Sequence, residues 1–206
     1  RARQPSLLPK RNNELAAIRR QVHADRLPAD DPDLMHDVRC PVKPPAIPLE
    51  KVRALPLLYR VTIPPEFEDE NGHMNIRWYL TVYDDAGYPL AAGFGLTPEY
   101  HRQHGTGGFD LEHHIHYLSE VHIGDTVAIH VRLLAHTAKR IHYMMFMVNE
   151  TRGTLASLFE CVNSFADLTV RRTAPYPEDI AARIDAMLAE HTALDWDAPV
   201  CGVMGA

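Results

Sequence analysis

Four long stretches between residues 108 and 168 read as strands, and one long apolar helix pattern stands before them. This arrangement constrains the fold more than any other feature. "GFDLEHHIHYL" (108–118) sets Phe109, Leu111, His113, Ile115 and Tyr117 against Asp110, Glu112, His114 and His116. "TVAIHVRLL" (126–134) sets Val127, Ile129, Val131 and Leu133 against Ala128, His130 and Arg132. "RIHYMMFMV" (140–148) and "TLASLFECVNSFADL" (154–168) follow, separated by turn-like segments. Alternation with period two is the mark of a strand, and consecutive strands joined by short turns predict an antiparallel meander.

The helix pattern begins at Asn75. Ile76, Tyr79, Leu80 and Tyr83 fall at i, i+3, i+4 and i+7, with Trp78 and Val82 on a second flank. So much apolar surface predicts a largely buried helix, ended or kinked at Gly87 and Pro89. Before it, "LLYRVTI" (57–63) reads as a strand closed by Pro64 and Pro65. "TPEYHRQHG" (97–105) has a Thr cap, a Pro at the first helical position and a Gly stop, so it reads as a short helix. A last helix starts at Pro177, Glu178 and Asp179, with Ile180, Ile184, Met187 and Leu188 on one face. The class is therefore α+β: a sheet of about five antiparallel strands around one long helix. Such a sheet leaves its edges open, and pairing between two copies would cover them, so a homodimer or higher homo-oligomer is expected.

The ends of the chain differ from this centre. Eight prolines break up residues 1–50, and one short helix pattern (Leu15, Ile18, Val22) fits between them. Seven Lys and Arg among the first 26 residues read as a solvated basic helix rather than a targeting segment. The expected organisation is a proline-rich arm over 1–50, a domain over 51–191 and an irregular tail over 192–206.

A formal charge of −6 gives no basic face for nucleic acid, and no apolar run is long enough to span a bilayer. Cys40, Cys161 and Cys201 are far apart and odd in number, so neither a disulfide framework nor a zinc ribbon is expected. A reducing, cytoplasmic setting follows from that usage. His113, His114 and His116 suggest a metal at first sight. In a strand His113 points away from the other two, and nothing else in the sequence supplies the remaining ligands, so no metal is expected. Glu112, His114 and His116 share a face and are assigned to the pocket mouth or the seam between subunits.

The chemistry concentrates in "DENGHMNIRWY" (69–79). Taken singly, Asp69 and Glu70 read as solvated loop acids, His73 as a structural hydrogen bonder, Asn75 as a helix cap and Tyr79 as core. Together they place a carboxylate, a tight Asn71–Gly72 turn and a helix N-terminus side by side. A helix N-terminus offers unpaired N–H groups and a positive dipole end, which suit a developing oxyanion. Gly72 permits close approach of backbone to a ligand.

Asp69, Gly72, His73, Asn75 and Tyr79 at this spacing resemble the D-x-x-G-H-x-N-x-x-x-Y signature of hotdog-fold acyl-CoA thioesterases of the 4-hydroxybenzoyl-CoA thioesterase type. The D-x-N-G-H-M-N form is most similar to the branch that includes betainyl-CoA thioesterase domains. The resemblance runs in element order over roughly residues 55–170, aided by the turn Ile123, Gly124, Asp125, Thr126. It implies a hotdog fold and hydrolysis of an acyl-CoA or acyl-carrier thioester without a cofactor. It further implies Asp69 as nucleophile or general base, His73 and Asn75 as orienting groups, and Gly72, Ile76 and Tyr79 beside the thioester. Glu112 and His114 are added as substrate-side candidates. Asp84 and Asp85, on a helix expected to be buried, read first as acids paired with an Arg or with the other subunit, and second as rival working carboxylates, because burial would raise a carboxyl pKa. Two other functions compete: a hotdog hydratase or dehydratase, whose H-F-P-G-H-F-P type of motif is absent, and a non-catalytic thioester-binding or assembly protein.

Overall fold

The computed structural model describes residues 46–206. The arm, with its expected helix at Leu15–Val22, lies outside the described residues except for its last five positions. There a short helix not foreseen in the sequence, α1 (Leu49–Arg53), begins.

The strands are β1 (Leu57–Thr62), β2 (Thr106–Tyr117), β3 (Thr126–His136), β4 (Arg140–Asn149), β5 (Thr154–Asp167) and the two-residue β6 (Arg172–Thr173). Helix α2 (Ile76–Gly93) and the short α3 (Pro98–His104) separate β1 from β2, and α4 (Glu178–Thr192) follows β6. All pairings are antiparallel, in the order β1-β3-β4-β5-β2, with β6 added to one end of β5. The fold is the hotdog: one curled sheet packed against one long helix.

Two expectations are corrected. The sheet is a meander only from β3 to β5, since β2 pairs with β5 and β1 with β3. The 118–125 connection carries the chain from one side of the sheet to the other, past the start of α2, where Val121 is fully buried and accepts a hydrogen bond from the Met74 N–H at 2.7 Å. The second correction concerns α2, which runs through Gly87 and Pro89 to Gly93. An internal proline costs roughly 3 kcal/mol. Here the turns after it are held by the burial of Leu90 and Phe94.

Nor is α2 buried all round. Tyr79, Val82, Tyr83, Ala86 and Leu90 form its buried stripe. Ile76 (64% exposed), Leu80 and Tyr88 (60%) stand outside it. One helix on one sheet can bury only the stripe that faces the sheet. That stripe meets Tyr143, Met145, Met147, Phe159, Cys161 and Phe165 on the inner face of β4 and β5, with Tyr83 stacked on Phe159 at 4.7 Å.

The outer face carries its own cover. Met144, Phe146, Val148 and Leu158 pack against Val52 and Leu55 at α1 and against Leu194, Trp196 and Ala198 after α4. The irregular tail is thus docked: Arg132 donates to the Trp196 carbonyl at 2.6 Å and lies over its ring.

Candidate active site

The loop from Asp69 to Asn75 is closed by its own backbone. The Asp69 N–H donates to the His73 carbonyl at 3.0 Å, and the Gly72 N–H donates to the Asp69 carbonyl at 3.1 Å. Gly72 takes φ +78°, a conformation costly to a residue with a Cβ. One carboxylate oxygen of Asp69, Oδ1, accepts from the Asn71 N–H at 2.8 Å. The other, Oδ2, lies 3.5 Å from His73 Nδ1, and the Asp69 side chain is only 9% exposed. Asp69 is therefore a nearly buried, positioned acid rather than a solvated one.

Neighbouring elements tie this loop down. Phe67 and Trp78 stack face to face at 4.0 Å, and the Asn75 N–H donates to the Phe67 carbonyl at 2.8 Å. His122 Nδ1 lies 3.1 Å from the Gly72 carbonyl oxygen. The sequence carried no signal for His122, because its partner is a backbone atom fifty residues away.

Asn75 caps α2, its Oδ1 accepting from the Arg77 N–H at 3.2 Å. The Ile76 N–H, first in the helix, has no intrahelical acceptor. The Ile76 side chain projects to solvent. Tyr79 is core: burial pushes its hydroxyl pKa up to about 12, it hydrogen-bonds the Val121 backbone, and its ring meets Tyr117 edge-on at 5.0 Å. The Asp69 charge also acts on this hydroxyl, so the carboxylate and the phenol are neighbours.

The turn after the 118–125 connection is pinned by Asp125. Burial opposes its ionisation, but hydrogen bonds from Arg152 (2.6 Å), the His122 N–H (2.9 Å) and Asn149 (2.8 Å) hold its carboxyl below the ordinary range. Arg152 is thereby engaged within the protein.

A groove of about 590 Å³ runs along α2 from Arg77 to Phe94 and is walled on the other side by β2, β4 and β5. Asp84 lines it. Asp85 accepts a hydrogen bond from the Tyr59 hydroxyl, whose pKa is raised by burial and by that carboxylate. Both acids are exposed, against the expectation of burial, because they fall off the stripe that faces the sheet.

The groove also holds a pair that the strand pattern had separated. Asp110 Oδ2 lies 3.1 Å from His113 Nε2, and Asp110 Oδ1 accepts from Asn163 Nδ2 at 2.6 Å. In a regular strand residues 110 and 113 face opposite ways. A bulge at Leu111, where the β2–β5 register slips, brings them to one face. The His113 ring packs on Phe159 at 4.7 Å. Glu112 and His114 pair with Val162 and Glu160 on the sheet's outer face, so the structure does not bring them to the loop or the groove. Asp69, Gly72, His73 and Asn75 are brought together on one loop, while the Ile76 side chain stands in solvent and Tyr79 lies in the core.

Residues 63–184 match the family model described as the thioesterase-like superfamily. The chain belongs to that superfamily. It is 32% identical over 147 residues to the betainyl-CoA thioesterase of Pseudomonas aeruginosa, covering 71% of this chain and 92% of the relative. It is also 32% identical over 122 residues to the L-carnitine dehydrogenase/betainyl-CoA thioesterase of Agrobacterium fabrum, where the match covers 59% of this chain and 25% of that longer protein. Among solved structures, a Staphylococcus aureus hypothetical protein in complex with CoA superposes with a TM-score of 0.66 at 25% identity, over 74% of this chain and 96% of that one. The 1,4-dihydroxy-2-naphthoyl-CoA thioesterase of Synechocystis shares the fold, with a TM-score of 0.55 at 16% identity over 62% of this chain and 93% of that one. This superfamily member is a thioester hydrolase of the acyl-CoA type. No helix among the described residues is long and apolar enough to cross a membrane.

Proposed function

We propose that the enzyme hydrolyses its acyl-CoA with the thioester carbonyl at the N-terminus of α2 and Asp69 as the working carboxylate. The observation that carries this reading is a nearly buried Asp69, held by the Asn71 N–H beside a helix start whose first amide, Ile76, has no intrahelical acceptor. Asp69 takes a proton from water, and the hydroxide adds to the carbonyl carbon. The oxyanion is held by the Ile76 N–H and the positive end of the helix dipole. Collapse of the tetrahedral adduct breaks the C–S bond, releasing the free acid, and CoA leaves as thiolate. His73 and Asn75 hold the loop and the helix cap in register. A second reading gives the role to Asp84, which lines the groove.

For the acyl group we infer a small quaternary ammonium such as betaine, which the names of two relatives suggest. The groove supports it: Asp84 and Asp110 supply negative charge, and the exposed aromatic ring of Tyr88 lines the same groove, a group that favours a cation. The site is read as that of a homodimer in a reducing, cytoplasmic setting. Strand β2 is an edge strand that exposes Phe109, Leu111 and Tyr117, and an open apolar edge of this kind calls for a partner.

A thiol-release assay tests both parts. Betainyl-CoA is compared with its neutral isostere, tert-butylacetyl-CoA, and with benzoyl-CoA. Preference for the isostere would end the cationic assignment. Full activity in Asp69→Asn with loss in Asp84→Asn would move the chemistry into the groove.

A further inference from the structure

Glu160 is a carboxylate in the wrong place for a purely structural residue. Its side chain is 2% exposed on the outer face of the sheet, across from the groove. It lies beside Leu158 and opposite Met144, on a face that also buries His130, Arg132 and His142 among its apolar side chains. Burying a carboxylate is costly unless it is fully partnered. Two partners are present: His142 Nε2 lies 2.8 Å from Oε1, and the Cys201 N–H donates to Oε2 at 2.7 Å. Two further donor groups converge on Oε2. His114 Nδ1 is 3.9 Å away, and the Cys201 sulfur lies within the same cluster, whose ligand atoms all fall within 4.8 Å of one another. The His116 ring stands 4.5 Å from that of His114.

We propose that His114, Glu160 and Cys201 form a zinc-binding site that clamps the 194–201 segment to the outer face of the sheet. One nitrogen, one oxygen and one sulfur suit Zn²⁺ and disfavour Ca²⁺ and Mg²⁺. Bond lengths of about 2.0–2.3 Å in a tetrahedral site put ligand atoms roughly 3.3–3.7 Å apart. The present separations need only a small inward movement by a half-buried imidazole and a tail residue, the two groups freest to make it. His142 holds Glu160 through the oxygen that the metal does not use, as a positioning residue. The fourth position falls to water or to His116. Binding releases the Cys201 thiol proton to solvent.

A second trio of comparable geometry, Asp110, His113 and Cys161, is a poorer site. Cys161 is fully buried, and burial followed by the Asp110 charge pushes its thiol well above the usual range, so it stays protonated. Asp110 is already committed to Asn163 and His113.

The test is titration of the full chain with Co²⁺ and Zn²⁺ after treatment with chelator. One equivalent of Co²⁺ is expected to bind with a thiolate-to-metal charge-transfer band. That band is lost in Cys201→Ser and kept in Cys40→Ser. Zn²⁺ affinity, from calorimetry in two buffers that also report proton release, is expected to fall by about 10–100-fold in His142→Gln, as for other groups that orient a ligand. Zn²⁺ is expected to raise the melting temperature of the wild type but not of Cys201→Ser. Thioesterase activity is expected to survive chelation, since the site lies across the sheet from the groove. The proposal fails if the wild type binds no stoichiometric metal. It fails equally if the Co²⁺ band persists in Cys201→Ser or disappears in Cys40→Ser.

Discussion

Asp110 and His113 lie three residues apart in one strand and meet at 3.1 Å on the same face of the sheet. They do so because β2 bulges at Leu111. The bulge turns a polar residue of the strand into the groove and leaves Glu112, His114 and His116 on the outer face. It therefore sets the charge of the groove and puts His114 on the face that carries Glu160.

If the groove selects a cation, Asp110→Asn should discriminate between charged and neutral acyl groups. The expected loss in kcat/KM for betainyl-CoA relative to tert-butylacetyl-CoA is about 1–2 kcal/mol, or roughly 5–30-fold. Equal losses on both substrates would mean that Asp110 serves structure alone.

Asp69→Asn is expected to lower kcat by about 10²–10⁴, the usual worth of a positioned acid or base, with an unchanged melting temperature. Asp85→Asn, whose carboxylate is bonded to Tyr59, is expected to stay near wild-type activity. Steady-state kinetics on the same CoA ester separate the two.

Asn75→Ala removes the cap from α2, at an expected cost of about 1 kcal/mol in denaturant unfolding. Asn75→Asp or Asn75→Ser should restore most of that stability. Activity should fall with the Ala variant by more than the stability loss explains, because the cap orients the first amides of the helix.

Phe159 is buried between Tyr83 and the His113 ring. Phe159→Ala is expected to cost about 3–5 kcal/mol, read as a lower urea midpoint with an unchanged m-value.

His191 is buried, and its Nδ1 accepts the Leu133 N–H at 2.8 Å, a bond only the neutral ring can accept. Burial, aided by the Arg132 charge, holds its pKa below the ordinary value. Folding therefore favours the neutral ring. Its contribution is fully present above about pH 6.5, the unfolded value, and is lost as pH falls through the lower folded pKa. Stability should decline between pH 7 and pH 5, and less steeply in His191→Gln. Equal slopes for the two proteins would remove His191 as the cause.

The local elements were readable because each rests on near neighbours. β1 and β3 to β5 lie within a residue or two of the alternating runs, and β2 begins only two residues early. Thr97, Pro98 and Gly105 bound α3 as cap, first-turn proline and left-handed stop. The turn within 69–73 was readable for the same reason, since the bonds that close it join residues at most four apart, whereas its ties to Phe67, Val121 and His122 lay beyond that reach. Where α2 ends was not legible in the sequence, because Pro89 acts locally against a helix, while the burial of Leu90 and Phe94 acts through the sheet.

By itself the sequence determined the kinds of element, the apolar stripe of α2 and the cluster of polar groups at its entrance, since period, cap and turn chemistry are short-range properties. Only the tertiary structure decided that β2 closes on β5, that Asp110 and His113 share a face, and that Glu160 and Cys201 come to His114. Each of these depends on strand order, on a one-residue slip in register or on where a tail docks. Those are outcomes of long-range packing, and a period-two pattern is blind to them.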